Sequence, residues 1–194
     1  MGTGSLGRTW PAKNKWQIPG GYENGENINS QSLPIPNQKN GGQRTVHVLH
    51  NSEQPASVFA ILEYGNKVVP LIADRLFDLV ILKMTNVCTD KKQTKIECKG
   101  PRFELVDFCI KLGSVTMTQN FKGVLVEIEY RPSVVPANCW ELIREFVQGF
   151  LGSAVSSQIP QYLQNRMNEI YQPMDTIHQY LEHFGQYRKS TGVI

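Results

Sequence analysis

The block from His50 to Gly152 constrains the fold most, because two-residue and then helical periodicities follow one another there with few polar interruptions. Its longest alternating segment carries apolar residues at Val106, Phe108, Ile110 and Leu112. Such spacing predicts a β-strand with those four side chains in a core and their neighbours toward water. The chain of 194 residues has room for one ordinary domain with appendages.

The first half of the block predicts strands and one helix. Residues 46–50 and 58–62 have the pattern of strands, and the second is apolar on both faces and is expected to be covered on both. Residues 68–73 form a further strand, in which Pro70 indicates an edge or a bulge. Asp74 is a candidate cap for a helix over residues 76–84, and its apolar stripe predicts deep burial.

The second half predicts a hairpin. A short strand at residues 96–98 is expected to break at Gly100 and Pro101, and the long alternating strand follows. Its inward set skips one residue at Gly113, as at a β-bulge, and continues at 115 and 117. A turn near Gln119 leads into a partner strand over residues 124–130.

Three helices are predicted after the hairpin. Asn138 and Glu141 have the spacing of a capping box for a helix that ends at Gly152. Pro160 opens a weaker helix, and Asp175 caps a last one. The predicted class is α+β, with an antiparallel barrel-like sheet and flanking and buried helices. We expect a disordered or atypical tail at 1–44, a core at 45–152 and C-terminal helices at 153–194.

The charges indicate a protein partner. Residues 1–44 hold five Lys and Arg against two Glu, so residues 45–194 hold fifteen of each sign and are neutral. Nucleic-acid binding needs a local cationic excess, which the body lacks. Lys91, Lys92 and Lys95 form its densest basic cluster, but no aromatic residues are interleaved with them, which favours a solvated loop.

The cysteines and histidines predict neither a metal site nor a cofactor. Cys88, Cys98, Cys109 and Cys139 contain no C-x-x-C pair, and the four histidines are scattered. A reducing intracellular compartment is therefore expected. We find neither an apolar run of transmembrane length nor a signal-peptide core, so a soluble protein is expected.

Several short segments occur in a fixed order along the chain. They are His50–Pro55, Leu71–Asp74, Phe77–Asp78, Lys95–Glu97, Gly113–Met117, Gly123–Tyr130, Cys139–Trp140 and Phe150–Gly152, with Asp175–Thr176, Gln179–Tyr180 and Phe184 further on. Together they resemble the Mediator subunit 20 family, also called TRF-proximal protein. Residues 1–44 do not resemble the strand, helix and strand with which family members begin. An alternative first exon or a gene-model error would explain this, and an unpaired sheet edge could result.

The resemblance implies a non-catalytic subunit of the Mediator head module, a nuclear coregulator of RNA polymerase II transcription that acts by protein binding. It implies subunit 18 as the partner, with subunit 8 reached through it, and contact with TATA-binding protein or its relatives. The neutral body and the lack of a transmembrane run predict no direct sequence-specific nucleic-acid partner and no membrane partner. Within the predicted last helix, the candidate interface residues are Ile177, Tyr180, Leu181 and Phe184, which could cap the barrel or contact the partner.

One enzymatic alternative remains. Glu127 and Glu129 stand two apart on a predicted strand, so both carboxylates could hold a hard metal ion, as in the tunnel triphosphatases. Such a tunnel also needs further acidic pairs and several inward cations, and Lys111 alone is comparably placed. Two carboxylates on a solvated strand face are the favoured interpretation.

Overall fold

The computed structural model describes residues 14–19, 31–32, 44–84, 89–90, 96–117, 119–152 and 158–190. Its strands are β1 (Asn14–Pro19), β2 (Gln31–Ser32), β3 (Arg44–His50), β4 (Ser57–Tyr64), β5 (Lys67–Asp74), β6 (Thr89–Asp90), β7 (Ile96–Leu105), β8 (Phe108–Met117) and β9 (Asn120–Tyr130). Its helices are α1 (Phe77–Lys83), α2 (Pro136–Leu151), α3 (Gln161–Gln164) and α4 (Pro173–Ser190). The basic cluster at residues 91–95 and the four final residues lie outside the described part.

The strands form two antiparallel sheets. One has the order β1-β7-β8-β9 and the other the order β5-β4-β3-β2-β6. Short connections join β3 to β4, β4 to β5, β7 to β8 and β8 to β9, so neighbours in sequence are neighbours in the sheets. The predicted α+β class is confirmed, and the antiparallel strands are divided between two sheets with helices packed against them.

The main core contains residues from both sheets and from α4. Leu49, Phe59 and Ile61 come from β3 and β4, and Ile96, Cys98, Val115 and Met117 come from β7 and β8. The α4 stripe of Met174, Ile177, Tyr180 and Phe184 belongs to the same cluster. A smaller cluster on the other face of β3 and β4 contains Val46, Val48, Val58, Ala60 and Ile81. The prediction that residues 58–62 are covered on both faces is therefore confirmed for residues 58–61.

The predicted inward face of β8 is wrong for residues 106 to 112 and confirmed for Val115 and Met117. The buried positions are Cys109, Lys111, Gly113, Val115 and Met117, and the residues at 108, 110 and 112 are only partly covered. Val106 lies at the tip of the β7–β8 hairpin with a φ of 50° and is highly exposed. The alternation misleads because Cys109 is a small apolar residue and Lys111 is a paired cation, and both can be buried.

The structure corrects two predicted irregularities, the bulge at Gly113 and the strand break at Gly100 and Pro101. The register of β8 on β9 is constant through Gly113 and shifts between Val115 and Thr116, so the bulge lies there. β7 continues through Gly100 and Pro101 for ten residues instead of ending at Cys98. Pairing with β1 on its other side continues across both residues, which explains the continuity.

Helix α1 is not deeply buried. Ile81 and the Asp78 carboxylate are covered, but Leu76, Leu79 and Val80 are more than half exposed. The Asp74 carboxylate accepts a hydrogen bond from the Leu76 amide at 2.8 Å, although the helix itself begins at Phe77 without a side-chain cap. The predicted position of the helix is correct, but one side of its apolar stripe faces outward in the described structure.

Helix α2 begins earlier than the capping-box prediction. It starts at Pro136, with Val135 at the N-cap and no side-chain cap hydrogen bond, so Asn138 lies in the first turn. Proline is preorganised for a first helical position and lacks the N–H that would be unsatisfied there. The predicted end at Gly152, which has a φ of 59°, is confirmed.

The segment 1–44, predicted as a tail, contains β1 and β2. β1 pairs with β7 along Asn14–Pro19, and β2 lies between β3 and β6. Trp10 lies outside the described residues, and Trp16 lies opposite Gly100 in the ladder. The division at residues 44 and 152 remains a prediction.

Gly100 is expected to be indispensable to the fold, because a Cβ placed there would lie 1.8 Å from the Leu112 carbonyl oxygen. The obstacle is backbone, so Gly100→Ala should lower the free energy of unfolding by about 3 kcal/mol or more. Gly149→Ala in α2 is the control, because a Cβ at that position would have nothing within 4 Å, and it should stabilise by about 0.5–1 kcal/mol. Urea unfolding of both variants measures the difference, and equal midpoints would contradict the close approach.

Candidate partner interface and the ionic cluster behind it

A buried lysine sits at the centre of an ionic cluster on the sheet of β7, β8 and β9. The Lys111 ammonium lies 2.5 Å from Oε2 of Glu53 and 2.8 Å from Oε1 of Glu127. Lys111 and Glu127 are register partners on β8 and β9, and Glu53 reaches them from the β3–β4 loop. Lys111 is only 4% exposed, so the two carboxylates provide the hydrogen-bond acceptors and the opposite charge that replace its hydration.

Helix α4 closes this cluster through Tyr180. Its hydroxyl donates a hydrogen bond of 2.5 Å to Oε2 of Glu127, so both oxygens of that carboxylate are engaged. Burial, and next the Glu127 charge, raise the pKa of Tyr180, so its hydroxyl stays protonated and can donate. Burial alone would lower the pKa of Lys111, but the Glu127 and Glu53 carboxylates raise it overall, and the side chain stays cationic.

Further ion pairs extend the cluster to the β7–β8 hairpin. Arg102 lies 3.5 Å from Glu53 and 3.4 Å from Glu104, and Arg131 donates to Glu104 at 2.7 Å. The chain of contacts thus holds Lys111, Arg102 and Arg131 against Glu53, Glu104 and Glu127, with no net formal charge. A self-neutralised cluster offers no excess charge to a phosphate or a cation.

This geometry does not support the triphosphatase alternative. The Glu127 carboxylate accepts hydrogen bonds from Lys111 and Tyr180, and Glu129, two residues further along β9, is exposed. Within the described ranges, no group of three or more His, Cys, Asp and Glu residues is placed to hold a metal ion. Glu127 serves the packing of α4 on the sheet rather than metal binding.

A groove of about 470 Å³ lies over this cluster. Its floor is β9, and its walls come from the start of α2, the α3 region and the first half of α4. Trp140, Ile143 and Tyr171 give it an apolar lining, while Gln179 and His183 add polar groups. The groove is a mixed surface with the neutral cluster at its base, and the buried charges described above are all paired.

The four predicted interface residues lie mainly in the core. Ile177, Tyr180 and Phe184 are at most 2% exposed, and Leu181 is partly buried against the same cluster. Their stripe covers the two sheets of this chain, which is the capping version of the hypothesis. Contact between these residues and another chain remains a prediction. Three of the four are inaccessible to a partner while α4 is packed on the sheets.

The exposed apolar surface is instead concentrated on β5 and α1. Half of the most exposed large apolar side chains in the described part of the chain fall between residues 68 and 84. We call this set of exposed side chains the β5–α1 face, and it consists of Val68, Val69, Leu71, Ile72, Leu76, Leu79, Val80 and Met84. Its β5 members lie on both sides of the strand. Concentrations of exposed apolar side chains mark binding sites in soluble proteins.

A buried carboxylate lies beneath the β5–α1 face. Asp78 of α1 is fully buried, and its Oδ1 lies 3.5 Å from Nε2 of His50 at the end of β3. Burial raises the pKa of the Asp78 carboxyl to about 6. Burial, with help from the Arg75 charge, lowers the pKa of His50. The pair links α1 to the end of β3, and Ile81 of the same helix belongs to the smaller core cluster.

The sequence alone predicts no role for two residues of these sites, Glu53 and Asp78. Glu53 lies in a turn, and Asp78 lies in an apolar helical stripe. A signal for Asp78 is nevertheless present, because a carboxylate between Phe77 and Leu79 is unusual on a stripe that packs inward. No local signal pairs Glu53 with Lys111, because 58 residues separate them.

The chain is similar to known Mediator proteins over most of its length. A family model described as TATA-binding related factor (TRF) of subunit 20 of Mediator complex matches residues 24–185. The match therefore takes in part of the segment 1–44, for which the sequence alone suggested no family pattern. Among the residues described, no helix is both long enough and apolar enough to cross a bilayer.

Curated relatives of this chain are named mediator of RNA polymerase II transcription subunit 20. The mediator of RNA polymerase II transcription subunit 20 of Aedes aegypti is 63% identical over 160 residues, covering 78% of this chain and 73% of the relative. The Drosophila melanogaster protein of that name is 54% identical over 173 residues, covering 81% and 69%. The Homo sapiens protein is 42% identical over 150 residues, covering 77% and 69%.

Removal of the central cation is expected to destabilise the fold. Lys111→Met leaves the carboxylates of Glu53 and Glu127 facing each other without the buried ammonium, and should cost about 3–5 kcal/mol of unfolding free energy. Lys99→Met is the control, because Lys99 is half exposed and pairs with Glu97 at the surface, and should cost less than about 1 kcal/mol. Urea unfolding near pH 7 measures both. Similar losses for the two variants would contradict a structural role for the cluster.

The Asp78 carboxyl is expected to make stability depend on pH. Because its pKa rises from 3.8 to about 6 on folding, the folded state holds the proton more tightly, and stability falls as pH rises from about 4 to about 6. Asp78→Asn cannot ionise, so it should match the native chain near pH 4 and exceed it by about 2–3 kcal/mol above pH 6.

Urea unfolding across this pH range, repeated in a His50→Gln background, separates the Asp78 contribution from that of its neighbour. The lowered pKa of His50 acts in the opposite direction, since stability from that group rises with pH. A pH-independent difference between Asp78→Asn and the native chain would contradict the burial argument.

Proposed function

We propose, because this chain belongs to the Mediator subunit 20 family, that it is a non-catalytic subunit of Mediator in transcription by RNA polymerase II. It acts by binding other Mediator subunits rather than by turning over a substrate. The observation that carries this proposal is the β5–α1 face, a large apolar surface that the described part of the chain leaves uncovered.

The structure of the core is consistent with an interaction role. The cationic and anionic side chains at the base of the groove neutralise one another, so this buried polar site is a packing device. The β5–α1 face, by contrast, exposes apolar side chains that release water when a partner covers them. Covering the β5–α1 face with a partner is therefore energetically favourable.

The finer assignment follows the resemblance. We propose that the direct partner is Mediator subunit 18, that subunit 8 is reached through it, and that the assembly belongs to the head module in the nucleus. Contact with TATA-binding protein or its relatives is a further part of this proposal. The α4 stripe of Ile177, Tyr180, Leu181 and Phe184 supports the interface indirectly, since it packs against both sheets, one of which carries β5.

A single charge on the β5–α1 face is expected to weaken binding strongly. Leu79 is 53% exposed on α1, so Leu79→Asp leaves the fold intact but puts a carboxylate into a desolvated contact. Co-purification with subunit 18, and binding measured by titration calorimetry, should weaken by about a hundredfold or more.

Val106→Asp is the matched control, because Val106 is exposed at the tip of the β7–β8 hairpin, away from the β5–α1 face in sequence and sheet. It should bind as the native chain does, and a melting curve for each variant confirms folding. Native affinity in Leu79→Asp would remove the β5–α1 face as the partner surface. Metal-dependent phosphohydrolase activity in the purified chain would overturn the non-catalytic assignment.

A further inference from the structure

Strand β5 is open along one edge. It is the outermost strand of its sheet and pairs with β4 through eight consecutive residue pairs, from Ser57 opposite Asp74 to Tyr64 opposite Lys67. In the described part of the chain no strand pairs with its other edge. A row of backbone donors and acceptors therefore faces outward along β5.

Both faces of β5 are also uncovered. All residues from Lys67 to Ile72 are exposed, and Val68 and Ile72 lie on one face while Val69 and Leu71 lie on the other. Edge strands in soluble proteins usually carry charges, are short, or are covered by a loop. β5 is long and apolar on both faces, and Pro70 is its main protection against unspecific pairing.

Pro70 indicates which amides face the open edge. A proline has no N–H to give, so it fits an edge strand when its nitrogen points away from the neighbouring strand. Pro70 lies opposite Ile61 within an unbroken register. The two-residue repeat of a strand then turns the N–H groups of Val68 and Ile72 to the open edge, and that of Leu71 toward β4.

The exposed charges around this strand are mainly positive. Lys67 precedes the apolar run, and Arg75 and Lys83 follow it, all three exposed. The exposed carboxylates nearby are those of Asp74 and of Glu63, which lies opposite Val68 and 3.3 Å from His47. Three cations against two anions leave a positive excess, which favours a partner segment with acidic residues beside its apolar ones.

We propose that β5 accepts an extended strand from a partner Mediator subunit, with apolar side chains on both faces and acidic residues at its ends. The inference rests on the proposed function and adds the mode of contact: main-chain hydrogen bonds to Val68 and Ile72 supply register, and the apolar side chains of the β5–α1 face supply buried area. Strand addition of this kind uses an edge that is open before binding.

A matched pair of substitutions at one position tests this mode. Ile72→Pro removes the side chain and the outward N–H, whereas Ile72→Ala removes the side chain and keeps the N–H. Binding of each full-length variant to purified subunit 18 is measured by titration calorimetry. The proline variant should bind at least about tenfold more weakly than the alanine variant, because only it lacks the interfacial donor.

Hydrogen exchange on the native chain gives an independent readout that needs no folded proline variant. The amides of Val68 and Ile72 should exchange at least about tenfold more slowly in the complex than in the free chain. Equal affinities for the two Ile72 variants, with unchanged exchange at both amides, would overturn strand addition while leaving binding through Leu79 and the face intact.

Other occupants of the edge give distinct results. Protection of both amides in the free monomer would assign the edge to a segment of this chain and overturn the proposal. A concentration-dependent dimer in sedimentation, lost in Ile72→Pro, would assign it to a second copy and overturn it likewise. Absence of any binding by the native chain to subunit 18 would remove the partner proposed above together with this contact.

Discussion

The packing of α4 against both sheets is the constraint on which the rest of the structure depends. Its stripe enters the main core beside residues of β3, β4, β7 and β8, so one helix supplies much of the apolar contact between the sheets. Tyr180 belongs to that stripe and also hydrogen-bonds Glu127, which joins the core to the Lys111 cluster. A buried ionic group gives specificity of position that apolar contacts alone do not, because an unpaired partner there is costly.

The same arrangement separates the parts that hold the fold from the parts left for binding. Charges on β7, β8 and β9 pair with one another and with Glu53, which leaves the sheet neutral where α4 covers it. On the other sheet, Ile81 and Asp78 are the buried residues among the side chains described for β5 and α1, and the β5–α1 face is exposed. A chain of the Mediator subunit 20 family would use such a surface for assembly, since covering its apolar area is the main remaining source of binding free energy.

Most strands and helices could be predicted from the sequence because their periodicities are local. The strands at 46–50, 58–62 and 124–130, and the helix that ends at Gly152, are all present. The face of β8 could not be assigned locally, because Lys111 is buried only by virtue of Glu53 and Glu127, and distant pairing decides which alternation faces inward. The predicted burial of α1 is too deep for the related reason that a stripe shows amphipathicity but not what covers it.

The sequence by itself determined the α+β class, the neutral body, the stripe Ile177, Tyr180, Leu181 and Phe184, and the likeness to the family, since each is carried by residue order. Only the tertiary structure decided that this stripe is internal, that Glu127 is a packing carboxylate, and that the uncovered apolar surface lies on β5 and α1. Burial and ion pairing are properties of residues brought together from distant parts of the chain, and no local pattern records which of them meet.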